Sequence, residues 1–275
     1  MTENDPASSE AVHHAGPRRS ALVTGASSGI GAAFAEALAR EQYALVLVAR
    51  RAERLEELAK RLGEARGVDV EVLPADLTDA AGMARVVESI EKRAPDLLVN
   101  NAGRGTFGSF ADLDPERELD EIELNVSVLV RLTRAALPGM LERGHGDIIN
   151  VSSLAAFQPM PFNATYGGTK AFVNSFTEAL HEELRDTGVR VQALCPGFTR
   201  TEFQETAGVE SSVVPAFAWM EAEQVVEASL RALERGDLVC IPGATNRVLA
   251  ILQRTSPHLL TRRLMARFGS RTLKD

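Results

Sequence analysis

Short apolar runs and longer amphipathic segments alternate from Ser20 to Pro242, and no other feature restricts the fold as much. The runs Ala21–Thr24, Ala44–Ala49, Val68–Leu73, Leu97–Asn100, Asp147–Ser152, Val189–Cys195 and Leu238–Ile241 have strand length and are rich in Val, Leu and Ile. Between them, Ile30–Arg40, Ala52–Leu62, Asp79–Arg93, Pro115–Leu141, Thr165–Arg185 and Glu221–Glu234 repeat apolar residues near the helical period. A strand, a helix and a further strand close as a right-handed βαβ unit. Repetition of that unit builds a parallel sheet covered by helices on both faces. The runs are mostly apolar rather than alternating, as strands buried on both sides require. An α/β, doubly wound sheet of about seven strands is therefore expected. Neither a linker nor an internal repeat interrupts residues 19–242, which read as one domain.

The ends differ from this body. Residues 1–18 mix Asp, Glu, Ser and Pro without periodicity and are expected to form a disordered, solvated arm. Its His13–His14 pair reads as incidental, and no metal site is expected. Residues 243–275 hold seven Arg or Lys against Asp275 alone, a local charge of +6. Since the whole chain carries −8, the remainder carries −14. Such an acidic body is a poor partner for nucleic acid. The basic extension alternates arginines with Val248–Leu252, Leu259, Leu260, Leu264, Met265 and Phe268, which suits one or two amphipathic helices. Three uses are open to it: packing on the body or a neighbouring subunit, covering a substrate pocket, or peripheral contact with an anionic membrane. The longest apolar runs fall far short of the roughly 20 residues that span a bilayer. Two cysteines, Cys195 and Cys240, suit a reducing compartment, so a cytoplasmic location is expected.

The first strand runs into Thr24-Gly25-Ala26-Ser27-Ser28-Gly29-Ile30-Gly31 and then a helix. Glycines let the backbone turn sharply and approach a pyrophosphate, whose charge the amides and the helix N-terminus stabilise. Gly25, Ser27, Ser28, Gly29, Ile30 and Gly31 are thus candidate phosphate-binding residues. The second strand ends in Ala49-Arg50-Arg51, with Arg54 a turn later. A site for NAD would offer a carboxylate to the adenosine ribose at this point. Here no carboxylate repels a 2′-phosphate, and a guanidinium fork can bind one. NADP(H) is expected over NAD(H), with Arg50 as first candidate and Arg51 beside it.

Tyr166 and Lys170 stand at i and i+4, on one face of a helix that follows the strand ending in Ser152-Ser153. With Asn125 in the preceding helix, these residues complete a pattern. The chain resembles the short-chain dehydrogenase/reductase family from about Ala21 to Ile241. The resemblance is carried by Thr24-Gly25-x-x-x-Gly29-Ile30-Gly31, Asp76-Leu77, Asn100-Asn101-Ala102-Gly103, Asn125, Ser153, Tyr166-x-x-x-Lys170 and Pro196-Gly197. It implies a Rossmann-type fold and hydride transfer between a nicotinamide and a carbonyl carbon. Tyr166 would protonate the oxygen and Ser153 would bind it, selected over Ser152 by standing thirteen residues before the tyrosine. Lys170 would hold the nicotinamide ribose and, with the oxidised ring, lower the phenol from its ordinary value of about 10. Asn125 would support a water linking Lys170 to solvent. Asp76 would accept from the adenine amino group with Leu77 beside it, and Asn101, Ala102 and Gly103 would line the ribose. Pro196 and Gly197 would close over the nicotinamide, with Thr199 or Thr201 meeting its carboxamide. The chain departs from the family at Gly167-Gly168, where Ser and Ala are commoner, which puts local helix rigidity in question.

The segment after Gly197 carries Phe198, Phe203, Val209, Val213, Val214, Pro215, Phe217, Trp219 and Met220, while Phe157, Met160 and Phe162 lie between Ser153 and Tyr166. This cluster suits either a hydrophobic pocket or ordinary packing of a lid. The expectation is an oxidoreductase acting on a lipophilic carbonyl or secondary alcohol, such as a ketone, steroid-like or oxoacyl compound. An NAD-linked alcohol dehydrogenase and a non-catalytic cofactor-binding sensor or scaffold are the alternatives. By family habit, a homo-dimer or homo-tetramer is expected.

Overall fold

The computed structural model describes residues 19–207 and 215–255. The predicted arm at 1–18, the lid residues Val209, Val213 and Val214, and residues 256–275 of the extension lie outside the described residues. Seven parallel strands form one sheet: β1 (Ser20–Thr24), β2 (Ala44–Ala49), β3 (Val70–Pro74), β4 (Leu97–Asn100), β5 (Gly146–Val151), β6 (Val189–Leu194) and β7 (Val239–Cys240). Their order is β3-β2-β1-β4-β5-β6-β7, so the chain winds one way to β3 and then crosses back to β4. This is the doubly wound α/β sheet that the alternation predicts. Its reversal point, between the carboxyl ends of β1 and β4, is where such sheets open a ligand crevice.

Helices α1 (Gly29–Arg40), α2 (Ala52–Arg66) and α8 (Ala222–Glu234) cover one face, burying Phe34, Leu38, Leu55 and Val225 against Val23, Leu47 and Val99. On the other face, α3 (Ala80–Arg93), α5 (Val128–Arg143) and α6 (Ala164–Glu183) bury Val86, Ile90, Leu132 and Met140 against Leu22, Leu98 and Ile148. Polar cross-ties fix the central strands. Asn100 donates to Thr133 Oγ1 at 3.0 Å and to Asn150 Oδ1 at 2.9 Å, and Asn150 donates to Thr177 Oγ1 at 3.0 Å. A buried amide left unpaired costs about 1–3 kcal/mol, so this ladder holds β4, β5 and their helices in one register.

Three elements differ from the sequence expectation. First, Pro115–Leu141 is not one regular helix: α4 (Pro115–Ile122) passes through a π-turn at Glu123–Ser127 into α5. The extra residue of a π-turn re-aims a side chain that a regular helix would carry elsewhere, and here the turn contains Asn125. Second, α2 continues beyond Leu62 to Arg66 and stops at Gly67, whose φ of 63° is the left-handed conformation that closes a helix. Third, short α7 (Phe203–Ala207) follows the turn after β6, in the segment read as a lid. The basic extension begins as expected with a helix, α9 (Ala244–Thr255). In α9, Asn246 and Ala250 are buried while Val248, Leu249, Ile251 and Leu252 are exposed. The helix packs on a 3-10 turn, Leu154–Phe157, that follows β5.

Candidate active site

At the carboxyl end of β1, Gly25 adopts φ 65°. A Cβ on Gly31 would lie 2.3 Å from the Gly25 carbonyl oxygen, so only glycine permits this close approach of turn and helix. Ser28, the N-cap of α1, makes no side-chain hydrogen bond to the helix, which leaves the first amides without a side-chain acceptor. Uncapped amides at a glycine turn fit a pyrophosphate. Thr24 Oγ1 accepts from the amides of Asn101 and Ala102, each at 3.0 Å, and Asn101 Nδ2 donates to the Thr24 carbonyl at 2.9 Å. The β4 end is thereby tied to the glycine turn, with Gly103 beyond it.

The adenosine end is built from the β2–α2 turn. The Arg51 guanidinium donates to Ser27 Oγ at 3.1 and 3.0 Å and to Ser28 Oγ at 2.8 Å, and pairs with Glu202 at 2.8 Å. Arg54 pairs with the same carboxylate at 2.5 Å. Arg50, the first candidate from sequence, is exposed and lies 3.9 Å from Asp76 rather than bonding Ser27 or Ser28. Burial pushes the Asp76 carboxyl up, but two hydrogen bonds from Thr78 and the charge of Arg50 outweigh it and hold the group below its usual range. Leu77 beside it is buried.

At the carboxyl end of β5 the two serines diverge. Ser152 is buried and donates to the Lys170 carbonyl at 3.1 Å. Ser153 Oγ accepts from the Ala155 amide at 3.1 Å, which caps the 3-10 turn, and it hydrogen-bonds the Tyr166 phenol. Helix α6 runs unbroken through Gly167 and Gly168. Lys170, 5% exposed, donates to the Val151 carbonyl at 2.8 Å, with its ammonium 5.6 Å from the Tyr166 ring centre. Asn125 accepts from the Arg104 amide at 3.0 Å and donates to the Arg104 carbonyl at 2.9 Å and to Thr169 Oγ1 at 3.1 Å. Burial pushes the Tyr166 phenol up to about 12, and the hydrogen bond from Ser153 offsets only part of this. Burial also brings Lys170 down to about 8. The expected depression of the phenol is therefore absent from the protein chain by itself, because desolvation of the phenolate outweighs its partners.

The predicted pocket lining is only partly brought together. Phe203 of α7 stacks at a tilt on Tyr166 with ring centres 5.6 Å apart, and Phe198 meets Trp219 at the same distance. Met220 N donates to the Phe198 carbonyl and Arg200 N to the Met220 carbonyl, both at 2.9 Å, closing a small bridge around Thr199. Pro196 accepts from the Leu154 amide at 3.0 Å, Thr199 Oγ1 donates to the Gly197 carbonyl at 3.1 Å, and Thr201 lies over Gly29. Asn246 of α9 abuts Gly197, where a Cβ would approach its amide to 2.7 Å. Sequence reasoning missed two carboxylates altogether. Glu118 and Glu121 of α4 are both buried: Glu118 accepts from Thr165 Oγ1, and Glu121 accepts from Thr106 Oγ1 at 3.0 Å. Their spacing of three, with Asn125 four residues on, is a same-face signal visible in the sequence.

The model of the short chain dehydrogenase family matches residues 19–211. The chain belongs to this family. A short-chain dehydrogenase from Sphingobium yanoikuyae, solved in complex with NADPH, is 39% identical, with a TM-score of 0.79 over 90% of this chain and 95% of its own. The bulky-bulky ketone specific alcohol dehydrogenase of Comamonas testosteroni is 32% identical, with a TM-score of 0.75 over 94% of this chain and 95% of its own. The very-long-chain 3-oxoacyl-CoA reductase of Anas platyrhynchos is 31% identical over 274 residues, 93% of this chain and 84% of its own. This short-chain dehydrogenase is thus an oxidoreductase, and members of its family bind a nicotinamide cofactor and a small-molecule substrate. Among its described residues, no helix is long and apolar enough to cross a membrane, and no group of three or more His, Cys, Asp or Glu could hold a metal ion.

Proposed function

We propose that this short-chain dehydrogenase is an NADP(H)-dependent carbonyl reductase for a lipophilic ketone or oxoacyl substrate. The Arg51 fork on Ser27 and Ser28 carries the cofactor assignment. It sets a guanidinium and two hydroxyls at the mouth of the glycine turn, the donor set that a 2′-phosphate takes up. Arg50 and Arg54 raise the positive potential there, and β2 ends without a carboxylate. When bound, the cofactor supplies the hydride. The residues that would hold it are the glycine turn with Ser27, Ser28 and Ile30, then Arg51, Asp76, Leu77, Asn101, Ala102, Gly103 and Lys170, with Pro196, Gly197, Thr199 and Thr201 at the nicotinamide end.

The chain's own chemistry is acid–base. Ser153 orients the carbonyl oxygen beside Tyr166. The phenol, protonated at neutral pH because burial holds it near 12, gives its O–H proton to that oxygen and becomes phenolate. Positive charge at Lys170 and at the oxidised ring stabilises the phenolate, which is how a raised phenol returns to a workable range in the loaded site. Asn125 fixes the loop at Arg104 and the face of α6 at Thr169, and so holds the wall behind Lys170. Phe203 against the Tyr166 ring, with Phe198 and Trp219 beside it, supports an apolar substrate.

A panel of decalones, steroid ketones, long oxoacyl thioesters, monosaccharides and polyols, assayed with NADPH and NADH in parallel, tests both halves. Turnover of the lipophilic carbonyls with NADPH is the expected outcome. Preference for sugars would sink the substrate class, and preference for NADH would sink the cofactor assignment.

A further inference from the structure

Glu121 has no place in the acid–base set described above, yet it lies against it. Its side chain is fully buried, on the turn of α4 immediately before the π-turn that carries Asn125. One carboxyl oxygen, Oε2, accepts from Thr106 at 3.0 Å; the other, Oε1, has no hydrogen-bond partner among the described residues. A buried carboxylate in that condition is costly, so the site favours the proton-carrying form unless a positive charge faces it. Lys170 and Tyr166 of α6 lie within electrostatic range, and Glu118 stands one turn back on α4 with its own Oε1 unpartnered. Thr106, from the loop after β4, is the neutral contact.

We propose that Glu121 is a proton reservoir for Tyr166, acting through Lys170, and that its ionisation balances the positive charge of the oxidised nicotinamide. The proposal rests on the reductase reading above and adds a residue to it. In reduction the Tyr166 O–H bond breaks as the alcohol O–H forms. A Lys170 N–H bond then breaks to restore the phenol, and the Glu121 O–H bond breaks to restore the ammonium by way of a bridging water, because Glu121 and Lys170 share no direct hydrogen bond. Glu121 would thus be a carboxylate while the oxidised cofactor is bound. Once that cofactor leaves, solvent returns one proton to Glu121, completing the one-proton uptake that carbonyl reduction requires. Burial raises Glu121 to about 7, against the pull of Thr106 and Lys170 and with added repulsion from Glu118, so both of its forms are populated at neutrality. Because Glu121 acts through Lys170, it is a positioning residue for charge rather than a group that touches substrate.

The test needs no substrate. Proton release on cofactor binding is measured by calorimetry in buffers of different ionisation enthalpy, from pH 5.5 to 8.5, with NADP+ and NADPH. The two cofactors share their phosphates, so the oxidised-minus-reduced difference isolates the response to nicotinamide charge. NAD+ and NADH run as a second pair keep the result independent of 2′-phosphate preference, and therefore of whether the cofactor assignment holds. Wild type is expected to release a fraction of a proton in this difference, centred near pH 7, with NADP+ affinity rising through the same range. Glu121→Gln should lose that component while still binding NADPH. An identical release profile in Glu121→Gln overturns the proposal. If the Gln variant does not fold, Thr106→Val keeps the carboxyl in place and removes the hydrogen bond that favours its ionised form. The centre should then move to higher pH, and an unmoved centre overturns the proposal equally.

Discussion

At the scale of single residues, the chemistry rests on what burial does to three titrating groups. The Tyr166 phenol is pushed up, Lys170 is brought down and Glu121 is pushed up, all first by desolvation. Tyr166→Phe keeps the ring on Phe203 and deletes the only proton it can give. Turnover should fall by about 10²–10⁴-fold while the NADPH dissociation constant, read by fluorescence titration, stays put; retained turnover would remove Tyr166 from acid–base duty. Arg51 and Arg50 separate by a second measurement. Charge-assisted hydrogen bonds contribute about 1.5–3 kcal/mol each, so Arg51→Ala should cut the NADPH-over-NADH ratio of kcat/KM by about tenfold or more. Arg50→Ala, which loses only a loose pair with Asp76, should change it less. The reverse ranking would return the role to Arg50.

Among the elements, α6 and the α4–α5 junction show what local pattern can and cannot reveal. Two glycines in a helix raise the question of a break, yet α6 is continuous from Ala164 to Glu183. Its neighbours hold it: Asn150 donates to Thr177, Ser152 to the Lys170 carbonyl, and Asn125 to Thr169. A Cβ at Gly168 would meet nothing within 4 Å, whereas one at Gly167 would touch Met160 at 3.4 Å. Gly168→Ala should therefore stabilise the helix by about 1 kcal/mol and raise the thermal midpoint by about 2–4 °C, seen by calorimetry; an unchanged midpoint would mean that the packing already removes the glycine penalty. The π-turn is the opposite case. Residues Glu123–Ser127 keep apolar positions compatible with a regular helix, so period alone predicts none. It forms where Asn125 exchanges two hydrogen bonds with the backbone of Arg104, a partner 21 residues away.

For the whole molecule, Glu121 links the site to stability. Its folded-state value of about 7 lies above the ordinary glutamate value of 4.5, so the folded protein holds a proton that the unfolded chain releases between these values. Stability from this group is fully present below about 4.5 and is lost as pH rises towards 7. At about 1.4 kcal/mol per unit, wild type should lose roughly 3 kcal/mol across that window relative to Glu121→Gln, which cannot titrate. Urea denaturation of both proteins at pH 5 and pH 8 measures the difference, and parallel curves would show that Glu121 is already ionised at pH 5. The charge division of the chain acquires a partial answer at the same scale. The first part of the +6 extension is α9, seated through Asn246 and Ala250 near the turn that follows Ser153. The exposed Val248, Leu249, Ile251 and Leu252 leave its outer face apolar.

Period made the strands, most helices and the parallel sheet readable in the sequence, because those depend on neighbours within a few residues, while the Ser153–Tyr166–Lys170 set was suggested by a recurrent order of motifs. Other features depend on groups far apart in the chain. Arg51 rather than Arg50 meets Ser27 and Ser28 because of how β2 leaves the sheet beside the glycine turn. Asn125 turns inward because Arg104 lies opposite. Glu121 is a proton-holding group because packing buries its carboxyl and Glu118 adds repulsion, which together outweigh the opposing pull of Thr106 and Lys170. A glutamate on a polar-looking helix reads as solvated in sequence. Only packing, which takes away its water, sets its charge.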